Sequence, residues 1–146
     1  MVHSTMADQD EIQTLFNAAM RLADQGRLEK ALLTYGQVTE RAPRLMEAWF
    51  NKAIVHERLW QGDEAIQCYL KAVDLAPTNV NASRSIGIHF FHKHQFSRAR
   101  YWLGAIGDVP RIYGLQNWIY LIHAGHASKS PHRRPWSAAA HHCEGD

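Results

Sequence analysis

Ten histidines and two cysteines in a chain of 146 residues raise the question of metal chemistry first. His89, His92 and His94 form the densest group. On a helix, positions 89 and 92 share a face, but 94 lies well around the cylinder unless the helix has ended by then. A zinc site needs three or four converging ligands. His123 and His126 stand three apart, and His141, His142 and Cys143 cluster near the end of the chain. No Cys-x-x-Cys or His-Glu-x-x-His spacing accompanies any of them. We therefore expect no metal site and no cofactor.

Catalytic signatures are missing as well. The sequence contains no Gly-rich phosphate loop and no Gly-x-Ser-x-Gly elbow. Cys68 stands beside Tyr69 within an apolar-periodic segment and reads as a small buried hydrophobe. His56 falls at a packing position, where a core histidine holding a hydrogen bond is expected. None of the acidic residues sits in an apolar setting that would raise its pKa toward acid–base work. The expectation is a non-enzymatic protein with no catalytic residue.

Composition narrows the class further. An apolar fraction of 46% and a charged fraction of 21% are those of an ordinary globular domain. The net charge of +2 is too small, and Lys and Arg too dispersed, for a nucleic-acid-binding surface. No apolar run approaches the ~20 residues of a membrane span. Met1 to Asp10 lacks the basic start and hydrophobic stretch of a secretory signal. Two cysteines cannot make a disulfide framework, so a reducing, cytoplasmic setting is expected.

The elements that position these residues come from an internal period. Ala31, Ala65 and Ala99 stand 34 residues apart, as do Tyr35, Tyr69 and Leu103. Leu28, Gly62 and Phe96 follow the same step, and so do Leu22, His56 and Phe90, and Ala19, Ala53 and Gly87. Pro43 and Pro77 keep it, while Pro110 falls one residue short. Two helices fit in each period. Asp8 with Glu11 predicts a capping box for the first helix, and Asp10 adds charge at its positive end. Ile12, Leu15, Phe16, Ala19 and Leu22 then recur at helical spacing. Gly26 ends that helix, and Leu28 to Arg41 forms its partner, stopped by Pro43. Leu45 to Leu59 and Asp63 to Leu75, separated by Gly62, form a second pair. Asn79 to His92 and Phe96 to Ile106 form a third. Small residues such as Ala19 and Ala31 let paired helices approach, while Trp49, Tyr69 and Phe90 fill the space between pairs.

These residues resemble the tetratricopeptide repeat family, whose pattern runs Trp, Leu-Gly, Tyr, Ala, aromatic, Ala, Pro. The middle repeat has Trp49, Ala53, Ala65, Tyr69, Ala72 and Pro77 in those places, departing at Lys52 and His56. The first has Leu15, Ala19, Leu22, Ala31, Tyr35, Val38 and Pro43. The third keeps Gly87, Phe90 and Ala99, with Ser83 at the tryptophan position. The resemblance implies an all-α fold, an α-α superhelix (solenoid) of three helix pairs plus a C-terminal capping helix. The repeats would run about 12–45, 46–79 and 80–113, within a domain of 8–124 between flexible ends 1–7 and 125–146. Stacking is obligatory in such arrays, because one pair cannot bury its apolar face alone.

The family lines its concave groove with the first helix of each pair. Carried over position by position, this implies Gln13, Phe16, Asn17, Met20 and Asp24 from the first repeat. The second gives Glu47, Phe50, Asn51, Ile54 and Arg58, and the third Asn81, Arg84, Ser85, Ile88 and His92. Relatives that grip acidic peptide tails use Lys, Asn and Arg at five positions, which are Phe16, Met20, Asn51, Asn81 and Ser85 here. Only Asn51 agrees, so carboxylate gripping is not expected. An apolar strip of Phe16, Met20, Phe50, Ile54 and Ile88, rimmed by Glu47, Arg58 and Arg84, suits a partner's amphipathic helix or apolar peptide. The expected role is a protein–protein adaptor or scaffold.

Arg111 to Ala124 predicts one further helix. Its segment Trp118, Ile119, Tyr120, Leu121 and Ile122 is apolar all round, which marks burial on more than one side. Either the third pair covers it, or it docks on a partner or a second copy, as in a structural subunit or assembly factor. From Ala127 to Asp146 no helical period remains, and Ser, Pro and Arg punctuate a predicted flexible tail. Within it, Arg133, Arg134 and Trp136 could make a short docking element.

Overall fold

The computed structural model describes residues 5–105. Six helices occupy them: α1 (Met6–Asp24), α2 (Leu28–Arg41), α3 (Met46–Arg58), α4 (Gly62–Leu75), α5 (Val80–His92) and α6 (Phe96–Ala105). No strand occurs among the described residues. The predicted helix 111–124, with Trp118, Ile119, Tyr120 and Ile122, lies outside them, as does the tail. The chain divides into two compact units at Leu75 and Ala76, the first holding α1 to α4 and the second α5 and α6.

Capping decides where α1 begins. The expected box of Asp8 and Glu11 does not form; Thr5 is the N-cap and Asp8 the third helical residue. The Asp8 amide donates to Thr5 Oγ1 at 3.3 Å, and the Thr5 amide donates to Asp8 Oδ2 at 2.9 Å. The Thr5 amide, and the Thr5 hydroxyl that also donates to Asp8 Oδ2 at 2.8 Å, hold the Asp8 carboxyl below its ordinary pKa. Thr-x-x-Asp competes with Asp-x-x-Glu for the start. The earlier cap wins by adding backbone hydrogen bonds such as Gln9 N–H to Thr5 C=O at 3.1 Å. Glu11 is left to pair with Arg41 at the end of α2. That pair is exposed and contributes little.

Within each pair a short connection makes the helices run antiparallel. In the first unit α1 packs on α2 and α3 on α4. Ala19, Ala31, Ala53 and Ala65 are completely or almost completely buried there. Their small side chains allow the close approach that the period predicted. Aromatic residues then repeat one contact: Phe16 meets Tyr35 edge-on at 6.0 Å, and Phe50 meets Tyr69 edge-on at 5.5 Å. Such a pair contributes about 0.5–1.5 kcal/mol beyond area burial. Burial, with Asp24 nearby, pushes the Tyr35 hydroxyl up to about 12. Tyr69 donates its hydroxyl to Glu57 Oε2 at 2.9 Å. Trp49 does not fill the core as its pattern position implied. It is half-buried and donates its indole N–H to the Pro43 carbonyl at 2.9 Å, with Lys52 5.5 Å from its ring centre. It thereby braces the α2–α3 connection.

The second unit lacks the aromatic pair, because Arg84 and Leu103 stand at the equivalent positions. Asn79 caps α5 by accepting from the Asn81 and Ala82 amides at 3.1 and 3.2 Å. Ala82, Ile86, Gly87 and Phe90 of α5 and Ala99, Trp102 and Leu103 of α6 are buried. The helices approach so closely at Gly87 that a Cβ there would stand 2.5 Å from Leu103 Cγ and 3.2 Å from Trp102 Cβ.

All three pairs close with one turn. Gly26, Trp60 and His94 take positive φ of 75°, 61° and 58°. The following amides of Arg27, Gln61 and Gln95 each bond back to Leu22, His56 and Phe90 at 2.9 Å. This is the Schellman arrangement, and it recurs with the period. Helix α3 is therefore followed by a tryptophan in the left-handed region; Gly62, expected to separate the helices, instead opens α4.

Two predictions follow from backbone and packing. Trp60→Gly should raise the unfolding free energy by about 0.5–1 kcal/mol, the left-handed penalty less glycine's entropy cost, whereas Gly26→Ala should lower it by about 1 kcal/mol. Urea titration reads both, and a destabilised Trp60→Gly variant contradicts the strain. Gly87→Ala should destabilise by about 1 kcal/mol, because overpacking exceeds the gain in helix propensity. In a Leu103→Ala background the same change should become neutral or stabilising.

Candidate functional site

The expected binding positions fall on three helices. Gln13, Phe16, Asn17, Met20 and Asp24 repeat at three and four residues along one face of α1. Glu47, Phe50, Asn51, Ile54 and Arg58 do the same on α3. Helices α1 and α3 touch within the first unit, so these two stripes are neighbours. Asn81, Arg84, Ser85, Ile88 and His92 share a face of α5 in the second unit.

Side-chain contacts narrow the apolar strip. Phe16 and Phe50 are half-buried against the tyrosines of their own pairs, so each offers only part of a ring. Ile54 is half-buried also. Met20 is the exception, 42% exposed in the middle of its stripe. Around it stand the polar, exposed Gln13, Asn17 and Asp24, with Gln13 Nε2 donating to Asn17 Oδ1 at 3.1 Å. Arg58 was expected as a rim cation. Its Nη1 instead donates to the Ala23 carbonyl at 2.7 Å, tying the end of α3 to the last turn of α1. A cation at a helix C-terminus also opposes the partial negative charge there. On α5, Arg84 Nη1 donates to Asn81 Oδ1 at 3.1 Å, Ile88 is half-buried and His92 is exposed.

The histidines and the cysteine have local structural surroundings. His89 packs edge-on to Phe90, His92 to Phe91 and His94 to Phe96. Among the described residues no three His, Cys, Asp or Glu side chains converge as metal ligands would. His56, expected in the core, is half-buried, with Nδ1 2.8 Å from Gln61 Oε1. Burial pushes the Cys68 thiol up, outweighing the opposing charge of Lys52. A thiol of that kind is unreactive at neutral pH. No helix among the described residues is long and apolar enough to cross a membrane.

One surface of the first unit escaped the pattern reading. Leu33 on α2 is 71% exposed, and Trp60 at the α3–α4 turn is 95% exposed. Leu33 lines a groove of about 710 Å³ whose walls also include Leu32, Gly36, Leu59 and Gln61, the last two being the chain neighbours of Trp60. Comparing Trp60 with Gly26 one period earlier was the available signal: a bulky residue stands where the backbone asks for glycine.

Residues 46–79, which span α3, α4 and the Pro77 connection, match the family model described as Tetratricopeptide repeat. No curated protein matches the chain. The match covers one full 34-residue period. The buried alanines, edge-on aromatics and recurring turns extend the same unit into its neighbour on the N-terminal side. Residues 46–79 thus form a tetratricopeptide repeat, an architecture that suggests protein–protein interaction.

Proposed function

We propose that the protein is an interaction module rather than an enzyme, and that the neighbouring stripes of α1 and α3 hold a helix or apolar peptide of a partner protein. The observation that carries this reading is Met20, an exposed apolar side chain among polar neighbours. Beside it, Phe16, Phe50 and Ile54 expose only part of their surfaces. A flexible methionine adapts to varied apolar partners, while the half-buried rings give a rigid floor. Glu47, Asn51 and Asp24 would then set orientation through hydrogen bonds. Arg58 drops from contact residue to organiser, since its guanidinium holds α1 to α3.

Anchor residues carry most of an interface's affinity, so Met20→Glu should weaken capture of a specific partner about tenfold or more. Asn51→Glu in the same chain should deepen the loss. Helical circular dichroism should persist in both variants. Affinity capture from native lysate, quantified by mass spectrometry against wild type, checks this. Undiminished capture by both variants would overturn the α1–α3 reading.

A further inference from the structure

Helix α2 carries two stripes rather than one. Ala31, Tyr35, Val38 and Thr39 are buried against the rest of the first unit. Glu29, Leu32, Leu33, Gly36 and Glu40 recur at helical spacing on another side and line the groove of about 710 Å³. At its middle, Gly36 has nothing within 4 Å of where a Cβ would stand, so the floor lies open beside the exposed Leu33. Leu59 forms the opposite wall, and Trp60 projects from the adjoining turn.

Charge selects the occupant. Glu29 and Glu40 bracket the apolar middle, about 16 Å apart along the axis at 1.5 Å per residue. Both are exposed, and no cation pairs with either among the described residues. Lys52, the cation of the lining, stands 5.5 Å from the Trp49 ring centre on the α3 side. Trp60 adds a second line of argument. A bulky residue held in the left-handed region, packed on nothing, costs stability without structural return, and such strain gathers at functional sites.

We propose that this groove is a second docking site, independent of the α1–α3 face, for a partner's amphipathic helix. Its apolar stripe carries Lys or Arg at both ends. Leucine-type side chains settle between Leu33 and Leu59 over Gly36. The terminal cations meet Glu29 and Glu40, and Trp60 covers one edge.

The test uses the full chain and a fluorescein-labelled helical peptide of about four turns, with leucines on one face and lysines at both ends. A mirror peptide carries glutamate in place of the lysines. Anisotropy should show saturable binding of the lysine peptide and about tenfold weaker binding of the mirror. The double variant Glu29→Lys, Glu40→Lys should reverse that order. Leu33→Ser should weaken the lysine peptide about tenfold. Trp60→Gly should weaken it too while raising stability, a combination that a purely structural tryptophan would not produce. Absence of saturable binding, equal binding of the two peptides, or undiminished binding by Leu33→Ser would overturn the proposal. So would loss of binding through Met20→Glu, which places the peptide on the α1–α3 face instead.

Discussion

The close approach of the two helices in each pair is the constraint on which the other features depend. Ala19 with Ala31, and Ala53 with Ala65, are buried on paired helices of the first unit. A larger side chain there would force the axes apart, because a packed interior has no spare volume. At that spacing Tyr35 and Tyr69 reach the edges of Phe16 and Phe50. The second unit reaches the same end differently. Without the aromatic pair, Leu103 advances into the space beside Gly87, and glycine becomes necessary where alanine served before.

Pair spacing also governs how much of each first helix remains to meet a partner. One side chain can face inward or outward, and partial burial divides it between the two roles. Phe16 and Phe50 spend much of their surface on their own tyrosines. Arg58 gives its guanidinium to a backbone carbonyl of α1. Met20 keeps 42% of its surface exposed. The candidate face is therefore smaller than its roll of apolar residues implies, yet firmly supported from beneath.

The recurring turns separate backbone requirement from side-chain use. The helix-ending hydrogen bonds at Gly26, Trp60 and His94 are the same, so the left-handed conformation is imposed by the pair rather than by the residue. Glycine meets it without strain. His94 recovers part of the cost by packing on Phe96, while Trp60 recovers none inside the chain. Stability has been given up at the point where a large aromatic surface is displayed, beside the groove of α2.

Residue types and their 34-residue return were enough to read the helices, their pairing and their small-residue contacts. Those features rest on local spacing and on volume, and both are written directly in the chain. The start of α1 was less legible, since two overlapping capping patterns compete and only the sum of backbone hydrogen bonds separates them. Nor could spacing tell that Trp49 would brace a connection or that Arg58 would turn to Ala23. Each depends on which partner a side chain finds across the pair, and that partner is distant in sequence. Period and composition thus determined a helical repeat; the tertiary packing decided which of its side chains stay exposed, because the core takes its share of them first.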